Sequence, residues 1–409
     1  MIQLQCISRP ARPMSSNNRK RESRFSAISR EADSLISDKI SMFIGLERKM
    51  KTLGRFDNAE RFSMLVSGLR RPLCYGALVL AAVAIIPTQV ANGFDHAGGA
   101  KPYRYFRVGS VADVSTRTKP GFALVGGGKD LDQAFLWMCE RSGRGDFLVI
   151  RATGTDAYNP YIQSLCHENS VATLVIPNKQ AAMDPFVAQT IRKAEAIFIS
   201  GGDQANYINF WTGTPVQTAL NEAIRRGVPV GGTSAGLAVQ GEYIYSAQHD
   251  LPDGPDLTSR AALTNPFNRQ VIIAHKFLRN PILADTITDT HFVKRDRLGR
   301  LLVFMARILG SGSVTTIRGI GIDEQTAVLL EPSGRAAVVG HGSVYFMESS
   351  TKPEQLNPGK PLTFTGVSVQ KVTPGGHFDV RSWTGSSVRY QLDVNTGLVH
   401  STQVGNSLY

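Results

Sequence analysis

The sequence predicts an α/β fold, in which helices cover both faces of a mostly parallel sheet and an antiparallel β extension follows. Apolar runs alternate with helical stretches over residues 119–332, which we interpret as one α/β domain. These runs are continuous in Val, Ile and Leu, which is typical of parallel strands buried on both faces. Over residues 333–409 the runs are shorter, alternate with polar residues and are punctuated by Gly and Pro, which is typical of antiparallel strands.

Each element follows from its local pattern, with strands on the apolar runs and helices on the longer stretches between them. The predicted strands of the α/β region are Phe122–Val125, Phe147–Ile150, Ala172–Ile176, Ala196–Ile199, Val228–Val230 and Ile287–Phe292, and the clearest predicted helices are Asp132–Arg141 and Phe186–Ala194. The predicted strands of the extension are Ala336–Val339, Ser343–Phe346, Leu362–Phe364 and Val367–Gln370.

Three glycine-rich turns, at residues 126–128, 201–203 and 232–234, each follow a strand of the predicted sheet. Parallel strands end at one edge of their sheet, and the active sites of such sheets lie there. We therefore expect the three turns to meet at that edge.

The first 118 residues differ in character from the rest. Residues 1–63 are polar and rich in Ser and Arg, so we expect them to be disordered or to precede the true start of the protein. Residues 64–92 have the pattern of a secretory signal peptide, with two arginines before an apolar run that is short for a membrane span. A buried helix or an uncleaved anchor is the alternative. Residues 93–118 would then form a linker.

The signal peptide predicts a periplasmic or secreted protein without a stable membrane span after processing, and a cytoplasmic one if the leader does not function. The net charge of +12 does not indicate nucleic acid as a partner. Residues 1–92 hold 15 Lys and Arg against 7 Asp and Glu, which leaves 30 against 26 elsewhere. The nearly balanced body needs no acidic polymer as a partner.

Only Cys139 and Cys166 among the cysteines would survive processing. Buried thiols are the favoured interpretation, and a disulfide is the alternative in an exported protein. Because no C-x-x-C spacing is present, we expect no metal site.

Residues 232–236 read Gly-Thr-Ser-Ala-Gly, the pattern G-x-S-x-G in which a strand turns sharply into a helix and exposes a serine. Ser234 is therefore the candidate nucleophile. The backbone N–H of Ala235, near the start of the helix, is a candidate donor to an oxyanion. The alternative is an ordinary glycine-rich turn.

A serine hydroxyl needs a base that takes its proton and an acid that orients the base. His291 is the preferred base, because it lies in a predicted strand just before three arginines, and His275 is its rival. The alternative is that neither is the base and that His291 is a structural residue. For the acid, Asp323 and Glu324 lie at a turn between apolar strands. Only one of two successive side chains can face the imidazole, and the residues alone do not decide which. A surface pair is the alternative.

The three arginines that follow the candidate base either are solvated or grip a carboxylate, which arginine binds bidentately. Their clustering favours an acidic substrate. They are Arg295, Arg297 and Arg300.

Four motifs, in order along the chain, resemble those of cyanophycinase and its relatives, serine peptidases akin to aspartyl dipeptidase. They are Gly201-Gly202-Asp203-Gln204, residues 232–236, residues 289–301 and residues 321–327. The resemblance runs from about Phe122 to about Asp379. It implies a fold like class I glutamine amidotransferases, with serine in place of their cysteine, and hydrolysis of peptide bonds at aspartyl residues.

The resemblance also implies roles for individual residues. Ser234 would be the nucleophile, His291 the base and Glu324 the acid, and the turn at Gly202 and Asp203 would supply an oxyanion N–H beside Ala235. The residues that it places at the substrate are Gln204, Asp289, Thr290, Arg295, Arg297 and Arg300. It implies no metal or organic cofactor and suggests a homodimer.

The chain departs from cyanophycinases proper at two places. Thr290 stands where they typically have glutamine, and Phe277–Ala284 replaces a stretch rich in glycine and leucine. The preferred hypothesis is a serine hydrolase that cleaves amide bonds of acidic or cyanophycin-like peptides. The alternatives are the same machinery acting on another small peptide, amide or ester, and a non-catalytic binding protein that retains the pocket.

Overall fold

The computed structural model describes residues 100–248 and 256–409, and the structural statements below concern those residues. The predicted signal peptide and the segment before it lie outside the described residues and stay predictions. In the described ranges, no helix has the length and apolarity needed to cross a membrane.

A mixed sheet of ten strands forms the larger layer of the fold. Its strands, in spatial order, are β1 (Arg104–Gly109), β4 (Ser170–Val175), β3 (Asp146–Arg151), β5 (Ala196–Ile199), β6 (Val230–Thr233), β2 (Phe122–Val125), β11 (Thr326–Leu330), β12 (Arg335–Gly340), β15 (His377–Asp379) and β16 (Thr384–Gly385). Neighbours from β4 to β2 are parallel, whereas β1 and the strands from β11 onward pair antiparallel.

A second sheet of eight strands lies beside the first. Its strands, in spatial order, are β18 (Leu398–Ser401), β17 (Val388–Asn395), β14 (Phe364–Val372), β13 (Val344–Ser349), β10 (Ile317–Ile322), β9 (Thr286–Asp289), β7 (Tyr243–Tyr245) and β8 (Ile273–His275). β9 is parallel to β7 and β10, and the other pairs are antiparallel. The strands of residues 333–409 are divided between both sheets. The short turn between β10 and β11 carries the chain from the smaller sheet to the larger one.

Helices cover both faces of the larger sheet because alternate residues of its strands point to opposite sides. In β2, Phe122 and Leu124 pack in one hydrophobic cluster, and Ala123 and Val125 pack in another. The helices are α1 (Asp132–Ser142), α2 (Tyr158–Cys166), α3 (Lys179–Ala182), α4 (Pro185–Lys193), α5 (Gln204–Trp211), α6 (Pro215–Arg226), α7 (Ala235–Ala238), α8 (Ser259–Thr264) and α9 (Leu298–Gly310), with 3-10 turns at Pro281–Leu283 and Val404–Asn406.

The structure differs from the sequence interpretation at several backbone segments. The two strands predicted at residues 362–364 and 367–370 correspond to the single strand β14, and the strand predicted at residues 228–230 is β6, which begins at Val230. Residues 104–109, assigned to a linker, form the edge strand β1, and Tyr105 on this strand meets the ring of Phe186 edge-to-face at 5.3 Å. The strand predicted for residues 287–292 ends at Asp289, so His291 lies in the turn that follows, with φ of +49°.

The expectation of two buried thiols is wrong. Cys139 on α1 and Cys166 on α2 form a disulfide, with Cα atoms 6.1 Å apart. The pairing depends on the two helices packing against each other, which no local pattern in the sequence reveals.

Candidate active site

Ser234 lies at a sharp turn between β6 and α7. Its φ of +53° and ψ of −119° are rare for a residue with a side chain, and such backbone persists only where its surroundings hold it. The turn requires small neighbours, because a Cβ at Gly236 would collide with the carbonyl oxygen of Ile199. The tight turn leaves the serine side chain half-buried at the carboxyl end of β6.

Three side chains from separate parts of the chain form a continuous hydrogen-bonded series. Ser234 Oγ lies 2.7 Å from His291 Nε2, and His291 Nδ1 lies 2.6 Å from Glu324 Oε1. Ser234 follows β6, His291 follows β9, and Glu324 lies in the turn between β10 and β11. The group therefore forms where the two sheets meet.

The glycine-rich turn at residues 126–128 packs against His291 and Glu324. His291 N–H donates to the Gly126 carbonyl at 2.8 Å. A Cβ on Gly127 would lie 2.5 Å from His291 Nε2, and one on Gly128 would lie 3.0 Å from Glu324 Cβ. The imidazole can take this position only because residue 127 has no side chain. A Cβ on the residue at the start of the second glycine-rich turn, Gly201, would lie 3.5 Å from Ser234 Cβ, so all three turns meet here.

The surroundings of His291 favour a neutral imidazole. Burial is the main cause that lowers its pKa, the nearby Arg295 and Arg297 act in the same direction, and the hydrogen bond to Glu324 partly opposes them. With the carboxylate at Nδ1, the proton of the neutral ring sits on that nitrogen, and Nε2 can accept the proton of the Ser234 hydroxyl.

The two neighbouring carboxylates do different things. Asp323 accepts from Val293 N–H at 3.0 Å and from Ser343 N–H at 2.9 Å, so it joins the turn after His291 to the start of β13. Glu324 is the carboxylate that faces the imidazole.

The backbone N–H groups of Ala235 and Gly202 are the two predicted donors to an oxyanion beside Ser234. Ala235 is the first residue of α7, and the first N–H groups of a helix have no partner within it. Tyr207 donates to the Gly201 carbonyl at 3.1 Å. Because C=O and N–H point opposite ways across a trans peptide, this bond turns the Gly202 N–H away from Tyr207. Asp203 is the N-terminal cap of α5: its carboxylate accepts from Ala205 N–H at 2.9 Å.

Tyr207 is a residue that the sequence reasoning missed. It is buried on α5, and its single hydroxyl proton is shared between the Gly201 carbonyl and the Ser200 carbonyl, which lies at 2.8 Å, so it holds two successive carbonyls of the turn. A tyrosine on an amphipathic helix gives no sign in the sequence that its hydroxyl reaches back to a turn.

The prediction that all three arginines meet the substrate needs correction. Arg300 is 1% exposed and binds Asp289 through two hydrogen bonds, Nε to Oδ2 at 2.7 Å and Nη2 to Oδ1 at 2.6 Å. The two charges satisfy each other in the interior, so neither side chain is free for a ligand.

Arg297 is also buried, and its contacts involve a second predicted substrate residue. It donates to Thr290 Oγ1 at 3.1 Å and to Asp256 Oδ2 at 2.6 Å. Thr290 is itself only 3% exposed. Arg295 is the accessible arginine of the three: it donates to the same Asp256 oxygen at 3.1 Å, and its side chain is 47% exposed.

Two further predicted residues have other contacts in the structure. Gln204 begins α5, and its amide donates to the Tyr245 carbonyl on β7 at 3.4 Å. His275, the rival base, is exposed on the edge strand β8 and stacks on Tyr243.

In the described part of the chain, one group of side chains has the spacing of metal ligands. It comprises Cys139, Cys166 and Glu168, and the disulfide removes its two thiolates.

Comparison with known proteins identifies a family. The sequence profile of peptidase family S51 matches residues 129–334, about half of the chain, and the matched region contains Ser234, His291 and Glu324.

The chain is also similar to individual proteins. It is 26% identical over 213 residues to the cyanophycinases of Trichormus variabilis and Nostoc sp., in matches that cover 51% of this chain and 64% of each relative. It thus spans less than two thirds of the length of these relatives. It is 25% identical over 275 residues to the cyanophycinase of Synechococcus elongatus, covering 63% of this chain and 78% of the relative.

Two solved structures are similar at lower identity. A peptidase from an acI-B1 Actinobacterium is 18% identical, with a TM-score of 0.42 over 64% of this chain and 98% of its own. A putative peptidase E protein from Listeria monocytogenes EGD-e is 14% identical, with a TM-score of 0.35 over 54% and 98%.

Proposed function

The chain belongs to peptidase family S51, and on that premise we propose that it is a serine peptidase that cleaves amide bonds of aspartyl-containing, cyanophycin-like peptides. The observation that carries the proposal is the series of contacts from Ser234 Oγ through His291 to Glu324, at 2.7 and 2.6 Å. A hydroxyl, an imidazole and a carboxylate in this order form the arrangement that activates a serine for attack on a carbonyl carbon.

In the proposed mechanism, His291 takes the proton of the Ser234 hydroxyl while Oγ attacks the amide carbon. The oxyanion lies against the N–H groups of Ala235 and Gly202, which are held in place before the reaction begins. His291 then gives its proton to the departing amine, and an acyl-enzyme remains. His291 then deprotonates a water molecule that attacks the ester carbon, and it returns this proton to Ser234 Oγ as the acid product leaves. Glu324 keeps its contact with Nδ1 and stabilises the imidazolium at each step.

The preference for an acidic group rests on Arg295. Its side chain is about half exposed and already holds a carboxylate, that of Asp256, at 3.1 Å. A carboxylate of the substrate can replace Asp256 there, since arginine binds such groups with charge-assisted hydrogen bonds. The relatives named cyanophycinases favour the same substrate class.

A second candidate keeps the machinery and changes the substrate to another small peptide, amide or ester. It is favoured by the position of Thr290, which is buried and bound to Arg297. A substrate group that needs a side-chain amide at this place would find none, and sites built to pair a polar group discriminate strongly.

The test uses the full chain and its Ser234→Ala variant, with Ser164→Ala as a matched control on the exposed side of α2. We expect turnover on cyanophycin or on β-aspartyl or α-aspartyl dipeptides, and labelling by a fluorophosphonate, for the wild type and the control alone. Turnover on esters or neutral peptides only would favour the second candidate. A folded wild type without turnover or labelling would mean a binding protein instead.

We further propose that the protein is exported. Disulfides persist in oxidising compartments, and the bond between Cys139 and Cys166 is consistent with such a location. Peptide mapping of the periplasmic or secreted fraction should find a mature N-terminus near residues 92–98, whereas intact leader in the cytoplasm would refute export. Homodimer formation stays a prediction, and size-exclusion chromatography with light scattering would test it.

A further inference from the structure

Tyr409 lies against the turn that carries the candidate base. Its hydroxyl donates to Asp296 Oδ1 at 2.8 Å and accepts from Leu298 N–H at 3.2 Å. Its ring meets that of Phe292 edge-to-face, with centroids 5.9 Å apart. One side chain therefore contacts both ends of the segment that follows His291, residues 292–298, which we call the base turn.

The backbone of the base turn is strained and tightly connected to His291. Both His291 and Asp296 have positive φ, +49° and +45°, which costs energy for residues with a side chain. Arg295 N–H donates to the His291 carbonyl at 2.9 Å, and Arg297 N–H donates to the Phe292 carbonyl at 2.8 Å. A shift at either end of the base turn is therefore transmitted to the backbone of His291.

Tyr409 is itself held in place. The Leu408 carbonyl accepts from the Tyr390 hydroxyl on β17 at 3.0 Å. The ring of Tyr409 meets Tyr345 on β13 edge-to-face at 5.7 Å, and Tyr345 packs against the buried Phe292 at 5.2 Å. Burial raises the pKa of Tyr409, so its hydroxyl stays protonated and can donate to Asp296 throughout the neutral range.

We propose that Tyr409 is a positioning residue, which fixes the base turn and thereby keeps the His291 imidazole aligned with Ser234. The proposal rests on the proposed function. Tyr409 acts through the backbone and through Phe292, and it does not touch the reacting atoms.

The experiment compares Tyr409→Ala, which removes the ring and the hydroxyl, with Tyr409→Phe, which removes the hydroxyl alone. Tyr105→Ala is the matched control, because Tyr105 also meets a phenylalanine ring edge-to-face but lies on the edge strand β1. We expect kcat of Tyr409→Ala to fall about tenfold with KM within about twofold, since a small displacement of the base costs rate. Tyr409→Phe should lose about threefold, and the control should lose thermal stability only.

A second measurement follows the titration of His291 by NMR and needs no turnover. Burial holds the pKa of His291 below its ordinary value, and Glu324, Arg295 and Arg297 are the charged groups that act on it. A loosened base turn lets water reach the ring, so the pKa should rise in Tyr409→Ala. The acid limb of the kcat/KM profile should move to higher pH with it.

The outcomes separate this proposal from the proposed function. An unchanged His291 titration and an unchanged kcat in folded Tyr409→Ala would overturn the positioning role. If that variant does not fold, wild-type values in Tyr409→Phe would overturn it, because the hydroxyl contacts would then not matter to the base. If the wild type shows neither turnover nor fluorophosphonate labelling, the proposed function fails, and the NMR titration still decides whether Tyr409 positions His291.

Discussion

Replacing Gly127 by alanine tests the catalytic assignment without removing a catalytic group. A Cβ at this position would lie 2.5 Å from His291 Nε2 and 3.0 Å from Nδ1. Non-bonded heavy atoms normally stay about 3.5 Å or more apart. The imidazole must therefore move by about 1 Å, and its 2.7 Å contact with Ser234 Oγ is then lost or bent.

The size of the effect follows from that displacement. A misplacement of about 1 Å costs about 100-fold in rate, which is about 2.7 kcal/mol in the activation barrier. The φ of Gly127 is +101°, which L side chains rarely adopt, so the variant should also lose about 1–2 kcal/mol of unfolding free energy.

Gly375→Ala is the matched control for the backbone strain. Gly375 has φ of +84° in the turn between β14 and β15, and a Cβ there would meet no described atom within 4 Å. Both variants should lose the strain component in urea unfolding, and Gly127→Ala should lose somewhat more because its Cβ also displaces His291. In assays of kcat/KM on the best substrate, only Gly127→Ala should lose about 100-fold. If folded Gly127→Ala is as active as Gly375→Ala, His291 in this position is not the base.

Three further outcomes are expected. Glu324→Gln should lower kcat by about 10⁴, because the imidazole loses the partner that sets its tautomer. In contrast, kcat of Asp323→Asn should stay within about tenfold. Similar losses in the two variants would contradict the assignment of Glu324 as the acid. Serine at both Cys139 and Cys166 should cost about 3.5 kcal/mol of unfolding free energy, given the separation of 27 residues, and urea unfolding measures this. Burial raises the pKa of Glu168 to about 7, above its ordinary value. The neutral carboxyl favours the folded state, so the contribution of Glu168 to stability is complete at low pH and is lost as pH rises through about 7. The Tm of Glu168→Gln should therefore vary less with pH than that of the wild type.

The central strands of the larger sheet were predictable because they are buried on both faces, whereas the half-buried edge strand β1 was assigned to a linker. Two of these strands have the predicted bounds, Phe122–Val125 and Ala196–Ile199. Each is a short, unbroken apolar run that a glycine-rich or polar turn follows, a pattern that favours a buried strand. Strands of the second sheet such as β13 were predicted, but their assembly into a separate sheet was not predictable. It brings together strands as distant along the chain as Tyr243–Tyr245 and Leu398–Ser401, and several have only three or four residues.

The site was predictable to the extent that its residues are chemically distinctive. Ser234 and His291 stand in motifs whose spacing points to their chemistry, and the structure brings them within hydrogen-bond distance. Arg300 was misjudged, because an arginine that satisfies a buried aspartate looks the same in a sequence as one that waits for a ligand. Tyr207 and Tyr409 gave no signal, since what they do depends wholly on tertiary contacts.

The crossing between the two sheets has a consequence for when the protein can act. Ser234 follows a strand of the larger sheet, His291 follows a strand of the smaller sheet, and Glu324 lies in the connection between the two sheets. A chain with only one layer folded would hold at most part of the reactive group. On the proposed function, hydrolytic activity therefore requires both layers to be complete, and an unfinished copy could not cleave surrounding polypeptides.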